Sequence, residues 1–192
     1  MFCGVDEAGR GCWVGPVVAA AVVFKNGPLP GLGDSKALTE KKREALFPLI
    51  MEQAWVGIGM ASAEEIDQVN ILQATFLAMR RAVSSLPELA LSEIVVDGNR
   101  DPRLVGVPSE CLVRTLVKAD ALVAEVSAAS IVAKVTRDHL LAEMDKQYPG
   151  YGFAKHAGYG VPEHQAALNL LGPCPEHRMT FAPLKRLIAT RI

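Results

Sequence analysis

Residues 2–24 read FCGVDEAGRGCWVGPVVAAAVVF, two apolar runs separated by a turn rich in glycine. The runs cover 2–7 and 14–24 and consist mainly of β-branched and small apolar residues. They therefore predict two strands of a buried sheet, joined as a hairpin. Two adjacent carboxylates, Asp6 and Glu7, end the first run. Neighbouring side chains on a regular strand point to opposite faces, so both can contact one ligand only where the backbone leaves strand geometry.

The turn Gly9-Arg10-Gly11 makes such a departure easy, because glycine adopts backbone angles that other residues avoid. The missing side chains let backbone N–H groups approach a ligand, and Arg10 supplies a cation suited to phosphate. An arbitrary Asp-Glu pair before glycine is more often a solvated acidic turn. The rest of the chain decides between these two interpretations.

Composition favours one globular domain over residues 1–192, because 50% of the 192 residues are hydrophobic and can form a sizeable core. No apolar stretch is long and uncharged enough to cross a bilayer, and the first residues lack the basic start of a signal peptide. We therefore expect a cytoplasmic protein without a membrane partner. The four cysteines are scattered and form no CxxC pair, which indicates free thiols.

The formal net charge of −1 excludes a general nucleic-acid coat protein. Any contact with DNA or RNA must come from a local basic patch. Considered alone, the basic residues are typical of solvated helix faces. The candidates are Lys36, Lys41, Lys42, Arg43, Arg100, Arg103, Lys118, Lys134, Arg137 and Lys155.

After the initial hairpin, strands alternate with helices, which predicts an α/β fold with a mixed central β-sheet flanked by α-helices. Thr39, Ser62 and Asn70 have the residue type and spacing of helix N-caps. Further strands are expected at 55–60, 92–97 and 111–117. Helices are expected at 70–84, at 120–147, from 162 onward and at 183–190, and a loop is expected at 148–161.

Acidic residues stand at the ends of several of these elements. Asp6 and Glu7 end the first strand, Asp97 ends a later strand, and Asp120 opens the long helix. Alone, Asp97 is a good turn residue and Asp120 a good helix N-cap. Together, four carboxylates would repel one another and raise each other's pKa unless cations lie between them. Oxygen ligands select Mg²⁺ or Mn²⁺, and a pair of such ions supports hydrolysis of a phosphodiester.

Several sequence blocks follow one another along nearly the whole chain. The first are Gly4–Gly11 with Gly15–Ala21, then Asp34-Ser35-Lys36 and Val96–Asn99. The later ones are Asp120-Ala121, Ser127–Asp138, Tyr151-Gly152-Phe153, His156, Gly158-Tyr159-Gly160, His177-Arg178 and Phe181. In this order they resemble the bacterial ribonuclease HII family, the type 2 ribonucleases H.

The resemblance implies a ribonuclease H-like fold in which Asp6, Glu7, Asp97 and Asp120 bind Mg²⁺ or Mn²⁺, with two ions when substrate is bound. Members of the family hydrolyse RNA in RNA–DNA hybrids. They also cut on the 5′ side of a single ribonucleotide embedded in duplex DNA, leaving 3′-hydroxyl and 5′-phosphate ends. The implied partners are therefore RNA–DNA hybrids and DNA duplexes that contain ribonucleotides, and we expect the enzyme to act as a monomer.

The resemblance also implies how substrate is recognised. Gly9, Arg10 and Gly11 match the family's turn that contacts the ribose 2′-hydroxyl. Tyr159 is assigned as the tyrosine that acts beside this turn, with Tyr151 as the alternative. The basic side chains expected to contact phosphate are Lys36, Lys134, Arg137 and Lys155.

Two departures from the family pattern lie near these residues. Cys12-Trp13 replaces the expected Pro-Leu, and Val161 replaces a common threonine. The four histidines share no ligand spacing and are interpreted as structural. Two other functions remain open on sequence alone, a non-catalytic hybrid-binding module and a DNA nuclease of the same fold. Metal-dependent nicking would exclude the first, and equal cleavage of all-DNA substrates would favour the second.

Overall fold

A five-stranded mixed sheet forms the centre of the computed structural model, which describes residues 1–33, 35 and 37–189. The strands are β1 (Phe2–Ala8), β2 (Val17–Phe24), β3 (Ala54–Ala61), β4 (Glu93–Asp97) and β5 (Leu112–Leu116). They lie in the order β3-β2-β1-β4-β5. β2 pairs antiparallel with β1 and β3, whereas β4 pairs parallel with β1 and β5. The predicted hairpin, α/β class and mixed sheet are confirmed.

Helices cover both faces of the sheet, with α3 on one face and α1 and α5 on the other. The helices are α1 (Glu40–Gln53), α2 (Ala63–Val69), α3 (Ile71–Ser84), α4 (Ala119–Leu122), α5 (Ala124–Gln147), α6 (Phe153–His156), α7 (Pro162–Leu171) and α8 (Ala182–Ala189). None of the described helices is long and apolar enough to span a bilayer.

Strand β2 is buried on both faces, which explains its unbroken apolar sequence. Its odd-numbered residues pack in the core beneath α3, and its even-numbered residues pack against α1 and α5. The first set is Val17, Ala19, Ala21 and Val23, and the second includes Ala20, Val22 and Phe24. The hairpin therefore provides the centre of two apolar layers.

The helix starts confirm the predicted caps. Thr39 accepts a hydrogen bond from the Lys42 N–H at the start of α1. Ser62 and Glu65 form the reciprocal capping box of α2. Asn70 accepts two backbone N–H groups at the start of α3. These local signals fix the helix starts before any long-range contact is considered.

Strand β2 begins at Val17, three residues later than predicted. Gly15 has a left-handed φ of +77°, which takes the chain out of strand geometry. Val14 instead forms an isolated bridge with His177. The residues between the two strands are therefore tied to the C-terminal part of the chain.

The predicted helix over 120–147 is divided in two. Val123 is extended, with φ −123° and ψ 120°, and separates α4 from α5. Asp120 consequently lies in the first turn of a short helix and not on the long one. The predicted loop at 148–161 also contains one helical turn, α6.

Gly4 allows α5 to lie directly on β1. A Cβ at this position would lie 2.2 Å from the backbone carbon of Glu125 and 2.2 Å from the backbone nitrogen of Val126. Real Cβ atoms do not approach backbone this closely, so any larger residue forces the helix away from the strand.

Gly4→Ala is expected to lower the free energy of unfolding by about 3 kcal/mol or more, since the clash involves backbone that cannot rotate away. Urea denaturation followed by circular dichroism measures the change. Gly11→Ala is the matched control, because a Cβ there meets no atom within 4 Å. Equal stability of the two variants would contradict the close approach.

Candidate active site

Asp6 and Asp97 lie side by side at the ends of neighbouring parallel strands. Val5 of β1 pairs with Val96 of β4, and each aspartate follows its valine. Val5 and Val96 both belong to the core beneath α3, so alternation places the two aspartates on the opposite face. That face is the one covered by α4 and α5.

A backbone hydrogen bond brings Asp120 to the same place. The Ala119 N–H donates to Oδ1 of Asp97 over 2.8 Å, which holds the start of α4 against the end of β4. Asp120 is the next residue and is 7% exposed. It also borders a depression formed with residues between 28 and 33. A backbone hydrogen bond therefore holds the start of α4, and with it Asp120, close to Asp6 and Asp97.

The carboxylates form one electrostatic cluster around Asp6, which is 5% exposed. Burial raises the pKa of the Asp6 carboxyl well above its ordinary value, and the charges of Glu7, Asp97 and Asp120 raise it further. The Glu7 N–H opposes this shift by donating to Oδ1 of Asp6 over 2.7 Å. The site thus concentrates negative charge that a cation would neutralise.

Glu7 lies on the other face of the strand but reaches the same region. β1 stays regular through Ala8, which pairs with Val18, and the backbone departs only at Gly9 with φ +93°. The backbone therefore leaves strand geometry at the first glycine of the turn, two residues after Glu7, and not between the two carboxylates. Glu7 lines both the cleft that contains Asp6 and a second one that contains Asp97.

These four side chains fit a hard divalent cation by their chemistry, because all donate oxygen and all carry like charge. Within residues 1–33, 35 and 37–189, however, no three His, Cys, Asp or Glu side chains are already arranged to hold a metal ion. Metal binding at this cluster remains a prediction.

One cleft contains Asp6 and Glu7 of the acidic cluster together with most of the predicted recognition residues. We call it the Asp6 cleft; its lining includes Asp6, Glu7, Gly9, Arg10, Gly11, Ser130, Lys134 and Tyr159. Arg10 is exposed and lies 3.4 Å from the Glu7 carboxylate. The structure therefore places the glycine-arginine turn and a tyrosine beside the acidic groups.

Arg137 does not line the Asp6 cleft, and its predicted contact with phosphate is wrong. The side chain is 1% exposed, and its guanidinium donates to three backbone carbonyls. These are Pro16 at 3.1 Å, Ala157 at 2.8 Å and Val14 at 2.9 Å. Arg137 instead ties the turn after β1 to the loop before Tyr159.

Arg178 supports the same turn from beneath, a role that the sequence did not reveal. It is fully buried and donates from Nε to the Gly15 carbonyl and from Nη1 to the Arg10 carbonyl, each over 3.0 Å. Its backbone N–H also donates to the Trp13 carbonyl over 2.8 Å. These partners are more than 160 residues away in sequence, so no local pattern indicates them.

The lysines predicted to contact phosphate have different positions. Lys134 lines the Asp6 cleft and forms an ion pair with Asp138 at 2.7 Å. Lys155 is exposed and shares a neighbouring cleft with Lys134. Lys36 lies outside the described residues. For Lys134 and Lys155, contact with phosphate stays a prediction.

Tyr159 and Tyr151 differ in accessibility. Tyr159 is 47% exposed and faces the Asp6 cleft, whereas Tyr151 is 8% exposed and donates its hydroxyl to the Gly172 carbonyl over 2.8 Å. Burial raises the pKa of the Tyr159 hydroxyl, and the neighbouring Cys12 thiol raises it further. This geometry favours Tyr159 over Tyr151 as the residue that meets substrate.

Trp13, which belongs to the Cys12-Trp13 departure from the family pattern, joins the turn to the tyrosine loop. Its backbone N–H donates to the Gly158 carbonyl over 2.9 Å. Its indole covers Gly160 so closely that a Cβ there would lie 2.1 Å from the ring. The ring centroid lies 5.3 Å from that of His164.

Three of the four histidines converge behind the tyrosine loop, although their sequence spacing gives no sign of it. His156 stacks on His164 with ring centroids 4.6 Å apart, and Nε2 of His164 lies 3.1 Å from Nε2 of His177. His164 and His177 are at most 1% exposed. Burial lowers the pKa of His177 to about 4 and also lowers that of His164.

His177 is expected to destabilise the protein as the pH falls from 6.5 towards 4, whereas Asp6, with its raised pKa, contributes in the opposite direction. Unfolded His177 binds a proton near its ordinary pKa of 6.5, whereas the folded residue stays neutral down to about pH 4. This one group contributes about 3 kcal/mol, present above pH 6.5 and lost on acidification. Urea titrations at a series of pH values measure it.

His177→Asn is expected to weaken this pH dependence, although it lowers stability overall. His139→Asn is the control, since the His139 side chain is 58% exposed and pairs with Glu44 at the surface. A His177 variant with the same pH dependence as the wild type would show that this histidine is not held neutral by the fold.

The sheet and its acidic end define a ribonuclease H-like protein of the α/β class. The crystal structure of ribonuclease H2 from Pyrococcus horikoshii OT3 is similar, with a TM-score of 0.81 and 30% identity over 98% of this chain and 97% of that chain. The Mn²⁺ complex of Bst-RNase HIII shows the same fold, with a TM-score of 0.72 and 20% identity over 98% and 69% of the two chains.

Sequence comparison gives the particular family. The family model described as Ribonuclease HII matches residues 3–184. A curated ribonuclease HII from Acidovorax sp. (strain JS42) is 56% identical over 190 residues, covering 98% of this chain and 88% of its own. The chain belongs to the ribonuclease HII family and is an endoribonuclease of the ribonuclease H type, which hydrolyses RNA in RNA–DNA hybrids.

Proposed function

We propose that this enzyme cuts duplex DNA on the 5′ side of a single embedded ribonucleotide, as well as RNA within hybrids, and leaves 3′-hydroxyl and 5′-phosphate ends. The observation that carries the proposal is the composition of the Asp6 cleft. The cleft contains the carboxylates of Asp6 and Glu7, the Gly9-Arg10-Gly11 turn and the exposed Tyr159. A cleft with these three parts can recognise a sugar and cleave next to it.

Asp6, Glu7, Asp97 and Asp120 would hold one or two Mg²⁺ or Mn²⁺ ions. When bound, such ions activate a water and stabilise the leaving oxygen of a phosphodiester. The protein's own contribution is to fix the ligands: Ala119 orients Asp97, and the Glu7 N–H orients Asp6. Burial of Asp6 also excludes bulk water, which strengthens its interaction with a cation.

The turn would recognise the ribose 2′-hydroxyl, the group that distinguishes a ribonucleotide from its deoxy neighbours and that both donates and accepts hydrogen bonds. The Arg10 carbonyl already accepts from Arg178. The carbonyls of Gly9 and Gly11 are therefore better placed to accept from the 2′-hydroxyl, while a turn N–H donates to it. Gly9 cannot be replaced by a larger residue, since a Cβ would lie 2.0 Å from Nε of Arg137.

Tyr159 would lie against the sugar that follows the ribonucleotide. An aromatic ring there fits deoxyribose and is crowded by an added hydroxyl, so it senses the junction by shape. Lys134 and Lys155 would contact phosphates and position the duplex without reading bases. This division of roles would make the enzyme selective for sugar type and not for base sequence.

We also infer that the enzyme acts as a monomer in the cytoplasm. All four carboxylates and the recognition turn come from one chain, so no second copy is needed to complete the cleft. The four cysteines are free and buried, as expected of a protein in a reducing compartment.

A DNA duplex with one ribonucleotide, incubated with the protein and Mg²⁺ or Mn²⁺, tests the proposal. The expected product is a single nick immediately 5′ of the ribonucleotide, lost on addition of EDTA. Equal cleavage of an all-DNA duplex would contradict the proposal and favour a DNA nuclease. Binding without any metal-dependent cleavage would instead indicate a hybrid-binding module.

A further inference from the structure

The backbone of Tyr159 is held by a chain of hydrogen bonds that runs through two buried histidines. Nδ1 of His164 lies 2.9 Å from the Tyr159 carbonyl, and Nε2 of His164 lies 3.1 Å from Nε2 of His177. The Cys174 N–H donates to Nδ1 of His177 over 3.0 Å. The chain thus links residue 174 to the tyrosine that faces the Asp6 cleft.

The geometry fixes the tautomer of both rings. The Tyr159 carbonyl can only accept a hydrogen bond, so the proton of neutral His164 lies on Nδ1 and is donated to it. Nε2 of His164 then accepts from the Nε2–H of His177, whose Nδ1 accepts from the Cys174 N–H at 3.0 Å, with the Cys174 carbonyl 3.3 Å away. The opposite arrangement would place the unprotonated Nδ1 of His164 against that carbonyl, so that two acceptors would face each other without a proton between them.

The surrounding groups keep the pair neutral and in place. His156 stacks on His164, the Tyr151 ring lies 5.3 Å from that of His177, and Sγ of Cys174 lies 3.1 Å from Nδ1 of His177. No carboxylate in the described part of the chain lies within ion-pair distance of either ring. An added proton would therefore have no counter-charge and would break one of the hydrogen bonds.

The Tyr159 backbone is constrained on both sides. Its N–H donates to the His156 carbonyl over 3.0 Å, and its carbonyl accepts from the Val161 N–H as well as from His164. The phenol itself is exposed in the cleft. Removing the bond from His164 would leave the carbonyl with the Val161 N–H and with one constraint fewer, which would change the direction in which the ring projects.

We propose that His164 and His177 are positioning residues for substrate recognition, a neutral pair of fixed tautomers that sets the orientation of Tyr159. This inference rests on the proposed function, in which Tyr159 contacts the sugar at the RNA–DNA junction. The histidines act through the tyrosine and do not touch substrate.

The hydrogen-bond chain is tested first without activity. In protein labelled with ¹⁵N-histidine at pH 7, His164 is expected as the Nδ1–H tautomer and His177 as the Nε2–H tautomer, each signal assigned by its loss in the corresponding His→Asn variant. A neutral His164 protonated on Nε2, or a charged ring at either position, would overturn the proposal.

Kinetics on the duplex with one ribonucleotide then test the effect on recognition. His164→Phe, which removes the donor to Tyr159, is expected to raise KM about tenfold and to leave kcat within about twofold. His164→Asn is expected to restore KM to within about threefold, because its amide N–H can replace Nδ1–H. Asn and Phe variants with equal KM would contradict the proposal.

Should His164→Phe fail to fold in thermal melting, His164→Gln replaces it, since glutamine reaches towards His177 and lacks the donor near Tyr159. In a Tyr159→Ala background the His164 substitution is expected to have no further effect on KM. Independent, multiplicative effects would show that His164 does not act through the tyrosine.

Different results would contradict the positioning role of the histidines and the proposed cleavage activity. An unchanged KM for Tyr159→Ala overturns this inference, while nicking 5′ of the ribonucleotide leaves the proposed function standing. A wild-type protein that does not nick the duplex overturns the proposed function and this inference together.

Discussion

Asp6→Asn is expected to abolish phosphodiester cleavage and to leave substrate binding nearly unchanged. Asp6 is the most buried of the four carboxylates, and the charges of the other three raise its pKa. Asparagine has the same shape and can still accept from the Glu7 N–H, so the strand end should keep its geometry. We expect kcat to fall by at least about 10³-fold, since a metal ligand is lost.

The same substitution is expected to raise thermal stability in the absence of metal. It replaces a carboxyl whose charged form is disfavoured by burial and by the charges of Glu7, Asp97 and Asp120 with a neutral amide, so unfolding becomes less favourable. Each kcal/mol gained raises the melting temperature by about 2–4 °C in a protein of this size. A variant that is inactive but more stable is the signature of a site built for a cation.

Glu143→Gln is the control for Asp6→Asn, because Glu143 is an exposed carboxylate paired with Lys146 on α5. Single-turnover cleavage and filter binding compare the two variants with the wild type. Normal turnover by Asp6→Asn would contradict the assignment of Asp6 as a ligand. Loss of substrate binding together with loss of folding would show that the carboxylate is structural.

Arg137→Met is expected to destabilise the protein by about 3–5 kcal/mol, although the sequence placed Arg137 among the phosphate contacts. The substitution leaves the carbonyls of Val14, Pro16 and Ala157 without their donor in the interior. It also removes the link between the recognition turn and the tyrosine loop. Arg137→Lys should recover little, because an ammonium cannot donate to three carbonyls in fixed directions.

Lys134→Met, one helical turn earlier, is the matched control. Lys134 is partly exposed and pairs with Asp138, so its loss should change stability by no more than about 1 kcal/mol. It should instead weaken substrate binding and lower its dependence on salt. Urea denaturation and binding at several salt concentrations separate the two effects. A stable Arg137→Met with only weaker, less salt-dependent binding would restore the original assignment.

Features encoded in short segments were predictable from sequence. The capping box at Ser62 and Glu65, the cap at Asn70 and the two-sided burial of β2 each depend on residues within a few positions of one another. The four carboxylates could be chosen as candidates because each one stands near the end of a strand or the start of a helix. The expected sheet suggested that they lie close together, and their role as metal ligands stays a prediction.

Features that depend on distant partners were not predictable. Arg137 lies in a charged helical segment that looks solvated, and its partners Val14 and Pro16 are more than 120 residues away. The meeting of His164 with His177 depends on how the last helices pack and has no periodic signal. The break at Val123 lacks glycine or proline, so propensity alone indicated one continuous helix.

The central claim, that the four carboxylates bind divalent metal, is tested most directly by anomalous scattering at the manganese edge from crystals soaked in Mn²⁺. We expect a peak bonded to oxygens of Asp6 and of its neighbours Glu7, Asp97 and Asp120, and no such peak in Asp6→Asn. Manganese bound only elsewhere, or equally in wild type and variant, would contradict the account.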